Sequence, residues 1–123
     1  AARARACHSE RPATAVAFAP NGELLASADA DRTIRLRDAA TGRELRALVG
    51  STLVVNALCF SPDGTRLLTG GSDHAVRVWD VETGRELLAL PGATGALRGV
   101  AWDARTDRVY ALDSAVRVWG PSL

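Results

Sequence analysis

Short runs of alternating apolar and polar residues recur along the chain, and each run ends at a turn sequence. In the first run, Thr14, Val16 and Phe18 share one side, and small alanines share the other. The same alternation returns in the runs that end at Phe60 and Trp102. A period of two residues is typical of β-strands, so each run predicts a strand.

Tight turns connect these strands to a second and a third predicted strand. Ala19–Gly22 and Ser61–Gly64 both place Pro, then Asn or Asp, then Gly, an order that fits the φ angles of a β-turn. The further strands are predicted at Leu24–Ala28 and Thr33–Arg37 in the first unit and at Arg66–Gly70 and Ala75–Trp79 in the second.

The segment that follows Gly42 fits either a strand or a helix. Thr41 and Glu44 have the spacing of a capping box at the start of a helix. Gly50 comes only eight residues after Gly42, however, and so short a helix is marginal without strong packing. We therefore predict a fourth strand here and in the matching segment after Gly84.

The order of these four segments repeats along the chain. Phe18, Phe60 and Trp102 are 42 residues apart, and Phe18–Leu48 matches Phe60–Leu90 at 14 of 31 positions. Internal repeats of this length are typical of proteins built from stacked copies of one structural unit. The sequence therefore predicts an all-β chain of three copies.

Composition excludes some classes of function. With 123 residues the chain fits one small domain, and its net charge of +1 gives no electrostatic reason to bind nucleic acid or an acidic membrane. The chain contains 23 Ala and 15 Arg but no Lys, a bias that indicates a high-GC bacterial genome. It contains no Met, which indicates a piece of a longer or processed protein. Two Cys indicate a reduced, cytoplasmic setting.

The most specific motif runs from Phe60 to Asp80; it begins Phe-Ser-Pro-Asp-Gly and ends Val-Arg-Val-Trp-Asp. With four predicted strands per repeat, the chain resembles the WD-repeat β-propeller family over essentially its whole length. The resemblance implies blades of four antiparallel strands, a to d outward from the ring axis. It also implies one WD-repeat unit over residues 1–123, with a closing d strand at 1–7, repeat 1 at 8–49, repeat 2 at 50–91, and repeat 3 at 92–123 without a d strand of its own.

The family often stabilises a blade with a hydrogen-bonded His, Ser or Thr, Asp and Trp. The positions that match are Ser27 and Asp31 in the first unit, Thr69, Asp73 and Trp79 in the second, and Asp113 and Trp119 in the third. Arg37 stands where the first unit should have Trp, and Ala111 where the third should have a hydroxyl. No unit has the complete set, so the packing of the first blade is left open.

The resemblance implies a non-catalytic scaffold that binds protein partners through loops at one face of the blades. These loops include Ser9, Glu10, Arg11, Ala30, Ser51, Thr52, Leu53, Ser72, Ala93, Thr94 and Leu112. Most are small and neutral, so they indicate no particular partner. The alternative is a structural assembly module, or the C-terminal part of a larger, multidomain propeller protein.

Three blades are too few for a closed ring, since propellers have about four to eight. An open stack exposes two apolar blade faces, which invites association. We therefore expect a second chain to complete a six-bladed ring as a homodimer, or the missing blades of a longer parent to do so.

Several kinds of chemistry are not expected. The sequence has no nucleophile-elbow motif and no phosphate-binding Gly-rich loop, so we expect no catalysis and no cofactor. Cys7 beside His8 offers only two ligands, which is fewer than a metal site needs. Arg35, Arg77 and Arg117 recur at one position, either as a basic ring around a partner or, as we prefer, as strand arginines with stems packed between blades.

Overall fold

All regular structure in the described part of the chain is β-strand. The computed structural model describes residues 13–29, 33–48, 55–71, 75–90, 99–112 and 116–119. A helix that could cross a membrane is not found among these residues. The all-β prediction is therefore confirmed.

The strands form three antiparallel sheets, each paired in chain order. We call them blades 1, 2 and 3. Blade 1 contains β1 (Ala13–Phe18), β2 (Leu24–Asp29), β3 (Ile34–Asp38) and β4 (Glu44–Leu48). Blade 2 contains β5 (Val55–Phe60), β6 (Arg66–Gly71), β7 (Val76–Asp80) and β8 (Glu86–Leu90). Blade 3 contains β9 (Gly99–Trp102), β10 (Val109–Leu112) and β11 (Val116–Trp119).

Blades 1 and 2 repeat even in the irregularities of their strand pairing. Each blade has a register shift at the start of its first pairing and another in its last pairing, and such bulges bend and twist a strand. The shifts fall at Ala13/Ala15 and Leu36/Arg37 in blade 1 and at Val55/Ala57 and Val78/Trp79 in blade 2. The repeat in sequence is therefore also a repeat in backbone geometry.

The Pro-x-Gly segments form the predicted turns between the first two strands of blades 1 and 2. Gly22 and Gly64 have φ angles of 74° and 77°, in the left-handed region that favours glycine. Their amides donate hydrogen bonds to the carbonyls of Ala19 and Ser61, each at 2.9 Å. These turns fix where the second strand begins.

The segments after Gly42 and Gly84 are strands, as predicted, and not helices. The amide of Arg43 donates to the hydroxyl of Thr41 at 3.2 Å, and the same bond recurs one blade later. Threonine therefore shapes the turn that precedes the last strand, and it does not cap a helix.

The turn between β9 and β10 lacks the Pro-x-Gly sequence because it copies a different turn of the same chain. The Asp107 amide donates to the Asp103 carbonyl at 2.8 Å, just as the Gly84 amide donates to the Asp80 carbonyl. The Thr106 hydroxyl donates to the Asp103 carboxylate at 2.6 Å, a bond with a counterpart in the β7–β8 turn. Asp107 takes the glycine position with a φ of 56°.

The hydrophobic core lies between the blades. The first strands of neighbouring blades are adjacent, because β1 contacts β5 and β5 contacts β9. One buried cluster joins blades 1 and 2, around Ile34 and Trp79, and another joins blades 2 and 3, around Val76 and Val109. Each blade is thus held by the apolar face of its neighbour.

Candidate interaction surfaces

In blade 2 the predicted pair of Trp79 and Thr69 is present. The Trp79 indole N–H donates to Thr69 Oγ1 at 3.0 Å, and both side chains are fully buried. An indole N–H that is buried needs such a partner. Trp79 therefore serves the packing of the blade and is not available to a ligand.

In blade 1, Arg37 takes the place of the tryptophan. Its Nε donates to Ser27 Oγ at 3.2 Å, and its Nη1 donates to the Gly42 carbonyl at 3.1 Å. The guanidinium thus replaces the indole as donor to the hydroxyl of the neighbouring strand. The bond from Arg37 to Ser27 shows how the first blade keeps this contact without a tryptophan.

The remaining predicted tetrad positions divide into two groups. Trp119 lies in β11 and packs against the cluster between blades 2 and 3. Asp31, Asp73 and Asp113 lie outside the described residues. Their roles stay predictions.

The predicted partner-binding loops fall almost entirely outside the described residues. Leu112 is described, and it is the last residue of β10, so it lies in a strand and not in a loop. Its side chain is exposed. The others, Ser9, Glu10, Arg11, Ala30, Ser51, Thr52, Leu53, Ser72, Ala93 and Thr94, lie outside the described ranges.

Two of the recurring strand arginines form ion pairs within their blades. Arg35 Nε lies 2.8 Å from Glu44 Oε1, and Arg77 Nη1 lies 2.7 Å from Glu86 Oε1. The glutamates are partly exposed, so each pair contributes only about 0–1 kcal/mol to stability. Pairing with an adjacent strand favours the structural interpretation of these arginines over a basic ring for a partner.

Each blade has two faces, because successive residues of a strand point to opposite faces, and we follow one row of paired side chains on each face. The forward row faces the next blade in the chain and the rear row faces the preceding one. The forward rows are Ala17, Ala26 and Leu36 in blade 1, Cys59, Leu68 and Val78 in blade 2, and Ala101, Tyr110 and Val118 in blade 3. The rear rows are Phe18, Leu25 and Arg37, then Phe60, Leu67 and Trp79, then Trp102, Val109 and Trp119.

The two internal junctions are built in the same way. Each hydrophobic cluster combines the forward row of one blade with the rear row of the next. Both end blades therefore have one row that no other described blade covers: the rear row of blade 1 and the forward row of blade 3.

Each of these two faces has exposed apolar residues, although Leu25 and Arg37 in the rear row of blade 1 are buried. Phe18 is 48% exposed, whereas its counterpart Phe60 in blade 2 is 6% exposed. Val118 is 52% exposed, whereas its counterpart Val78 is 0% exposed. A large contiguous patch of exposed apolar side chains is typical of an interaction surface.

A polar groove of about 330 Å³ lies between the first turns of blades 2 and 3. Asp63 accepts hydrogen bonds there from the Ser61 hydroxyl at 2.6 Å and from the Thr65 amide at 3.0 Å. The Ser61 bond, followed by those from Thr65, lowers the pKa of Asp63 from 3.8 to about 2. On the other side, the Trp102 indole donates to Asp107 at 2.7 Å.

The described residues offer little to a metal or to redox chemistry. They contain no group of three or more His, Cys, Asp or Glu side chains that could hold a metal ion. Cys59 is a free thiol in the forward row of blade 2, and burial raises its pKa. A partly buried thiol of raised pKa is a poor nucleophile.

Comparison with known proteins agrees with this geometry. The family model described as WD domain, G-beta repeat matches residues 3–38 and 42–80, which is more than half of the chain. The chain therefore belongs to the WD-repeat family of β-propeller proteins.

Two solved structures share the fold. The structure of U3-55K superposes with a TM-score of 0.84 at 23% identity, over 91% of this chain and 37% of that one. The WD40 repeats of RRP9 superpose with a TM-score of 0.83 at 24% identity, over 91% and 36%. At these identities the likeness shows the fold alone.

One curated relative matches a short segment of the chain. The probable serine/threonine-protein kinase PkwA of Thermomonospora curvata is 47% identical over 49 residues. That match covers 40% of this chain and 7% of the kinase. The chain thus matches only a small part of the length of this relative.

Proposed function

We propose that this chain is a non-catalytic scaffold that binds protein partners on the loop face of its WD-repeat blades. One observation carries the proposal: repeats that match the WD-repeat family form stacked blades. In these blades the polar side chains of the described core, such as Thr69 and Arg37, are bonded to other parts of the blade. Side chains used in this way support a platform and do not perform chemistry.

The binding face we propose is the set of loops predicted from the sequence. Among its residues, Arg11 offers a cation and Leu53 offers an apolar side chain on a loop surface that is otherwise mostly small and neutral. Few interface residues carry most of the binding energy, and arginine is enriched among them. Arg11 and Leu53 are therefore the positions to test first.

A partner is sought with the immobilised chain and is then purified for titration against it. Arg11→Ala and Leu53→Ala should weaken binding at least fivefold and leave the thermal melt unchanged. Leu87→Ala is the matched control, because Leu87 is exposed on β8, the last strand of blade 2. If all three variants bound every partner as tightly as the wild-type chain does, this result would contradict the proposed binding face.

We further propose that a second copy completes a six-bladed ring in a bacterial cytoplasm. The exposure of Phe18 and Val118 at opposite ends of the stack supports this homodimer. The alternative is that further blades of a longer protein cover these ends, and the partial match to PkwA favours that arrangement. In that case the chain acts as a structural assembly module of its parent.

A further inference from the structure

Resting on the proposed homodimer, we propose that the forward face of blade 3 is the docking surface for the rear face of blade 1 of a second copy. Phe18 and Val16 of that copy would pack against Ala101, Tyr110 and Val118. The proposal commits to one occupant and to one pairing of surfaces. Both surfaces belong to this chain, so the contact needs no other protein.

The forward face of blade 3 is open and mainly apolar. It contains a groove of about 300 Å³, whose lining includes Gly99, Ala101, Leu112 and Val116. Val116 is 66% exposed and Leu112 is 40% exposed. Gly99 and Ala101 leave room beside these larger residues, as small residues in a strand do.

The internal junctions show what such a groove accepts. At each one the forward row of a blade meets a rear row that begins with an aromatic residue of the first strand, Phe60 or Trp102. Phe18 occupies this same position in blade 1. The proposed contact therefore continues an interface that the chain already builds twice.

The aromatic residues favour this chain's own blade 1 as the occupant. Each internal junction contains two aromatic residues, Phe60 with Trp79 and Trp102 with Trp119, and both come from the rear row. Blade 1 supplies only Phe18, because Arg37 replaces the second aromatic residue. The forward row of blade 3 supplies Tyr110, where the other forward rows have Ala26 and Leu68. The proposed junction again contains two aromatic residues, one from each side.

Symmetry allows the contact to close. In a dimer of two three-bladed stacks, each copy offers one forward face and one rear face, so two identical junctions form. Neither apolar face then remains open to further association. An assembly of this kind has a defined size and does not grow into a fibre.

The test introduces opposite charges into two variants of the whole chain, one on each of the two proposed contact faces. Phe18→Lys places a cation on the rear face, and Val118→Glu places an anion on the forward face. Each variant alone has two damaged junctions in its dimer, so we expect both to lose the dimer. Mixed in equal amounts, they form one Lys–Glu junction and one native junction, and we expect the mass to return to twice 12.9 kDa.

Light scattering on a sizing column gives the masses, and circular dichroism confirms that each variant keeps its fold. Leu87→Glu is the matched control, since this exposed leucine lies in neither row, and it should stay dimeric. Val116→Glu replaces Val118→Glu if the latter fails to fold.

The outcomes separate this inference from the proposed homodimer. A monomeric wild-type chain would overturn both, because other blades would then have to cover the two faces. A dimeric wild-type chain with dimeric variants would overturn only the docking surface proposed above. Folded, monomeric variants that stay monomeric when mixed would overturn the pairing of these two faces. Recovery of the dimer on mixing supports it.

Discussion

Arg37 shows, at the scale of one residue, how a blade keeps its bonding pattern after losing a tryptophan. Its Nε reaches the Ser27 hydroxyl much as the Trp79 indole reaches Thr69. A hydroxyl oxygen accepts from either donor, so the change of side chain leaves the acceptor satisfied. The additional bond to the Gly42 carbonyl links the strand to the turn that follows it.

We predict that Arg37→Leu lowers the free energy of unfolding by about 2 kcal/mol, because two hydrogen bonds from a charged donor are lost. Arg37→Trp should recover about half of this loss, since the indole N–H can donate to Ser27. Urea denaturation measures both values. Equal losses for the two variants would contradict the donor role assigned to Arg37.

Gly84 is required by both its backbone angle and its neighbours. It has a φ of 75°, and an added Cβ would lie 2.8 Å from Arg46 Cδ and 3.0 Å from Leu48 Cδ2. The Arg46 side chain is held in place, because its Nη1 donates to the Val81 carbonyl of blade 2 at 2.8 Å. An arginine of blade 1 thus packs over the β7–β8 turn.

We predict that Gly84→Ala is more destabilising than Gly22→Ala by about 1–2 kcal/mol. Both glycines have a positive φ, but an added Cβ at Gly22 meets nothing within 4 Å. The two variants share the backbone strain of about 1 kcal/mol and differ in the steric contact with blade 1. Thermal and urea unfolding compare them directly, and equal losses would show that the Arg46 contact does not matter.

At the scale of elements, the turn from Asp103 to Asp107 couples backbone strain to a side-chain bond. Asp107 accepts the left-handed conformation and, from that position, binds the Trp102 indole. Aspartate adopts this conformation more readily than most residues, at a cost of about 1 kcal/mol. The bond to Trp102 offsets that cost.

We predict that Asp107→Ala lowers the free energy of unfolding by about 1–2 kcal/mol, because strain stays while the indole bond is lost. Asp107→Gly relieves the strain and loses the same bond, so it should be nearly neutral. Urea denaturation of both variants gives the comparison. A more damaging Gly than Ala would contradict this account of the turn.

The turn from Ser61 to Thr65 predicts a specific pH dependence. The folded-state pKa of Asp63, about 2, is lower than its ordinary value of 3.8. The ionised carboxylate therefore contributes stability above about pH 4, and this contribution is lost as the pH falls towards 2. Asp63→Asn should flatten the dependence of stability on pH in this window, whereas Thr65→Val should flatten it only partly. Urea denaturation measures the free energy of unfolding at each pH. If this free energy changed with pH in the same way in Asp63→Asn and in the wild-type chain, the prediction would be wrong.

The elements of blades 1 and 2 were predictable because local chemistry determines them. Alternating residues defined the strands, and the Pro-x-Gly sequence placed Gly22 and Gly64 at positive φ. The β9–β10 turn lacks the Pro-x-Gly sequence of the other first turns, so that pattern does not identify it. The signal was present in Asp103, Thr106 and Arg108, which match Asp80, Thr83 and Arg85 of the β7–β8 turn.

At the scale of the whole molecule, the sequence predicted two open blade faces but not the residues that form them. Val16 and Leu58 occupy the same place in the pattern, yet Val16 is 60% exposed and Leu58 is partly buried. This difference in exposure depends on whether another blade covers that face. The local alternation of apolar and polar residues contains no information about the neighbouring blade. Only the stacking order revealed the forward row of blade 3.

The described residues form an open stack of three blades, and small-angle X-ray scattering tests the proposed completion by a second copy most directly. A closed dimer should have twice the 12.9 kDa mass of one chain and a radius of gyration of about 18 Å. A particle of 12.9 kDa with a radius of gyration of about 14 Å would contradict the account, because no second copy would then cover the exposed Phe18 and Val118.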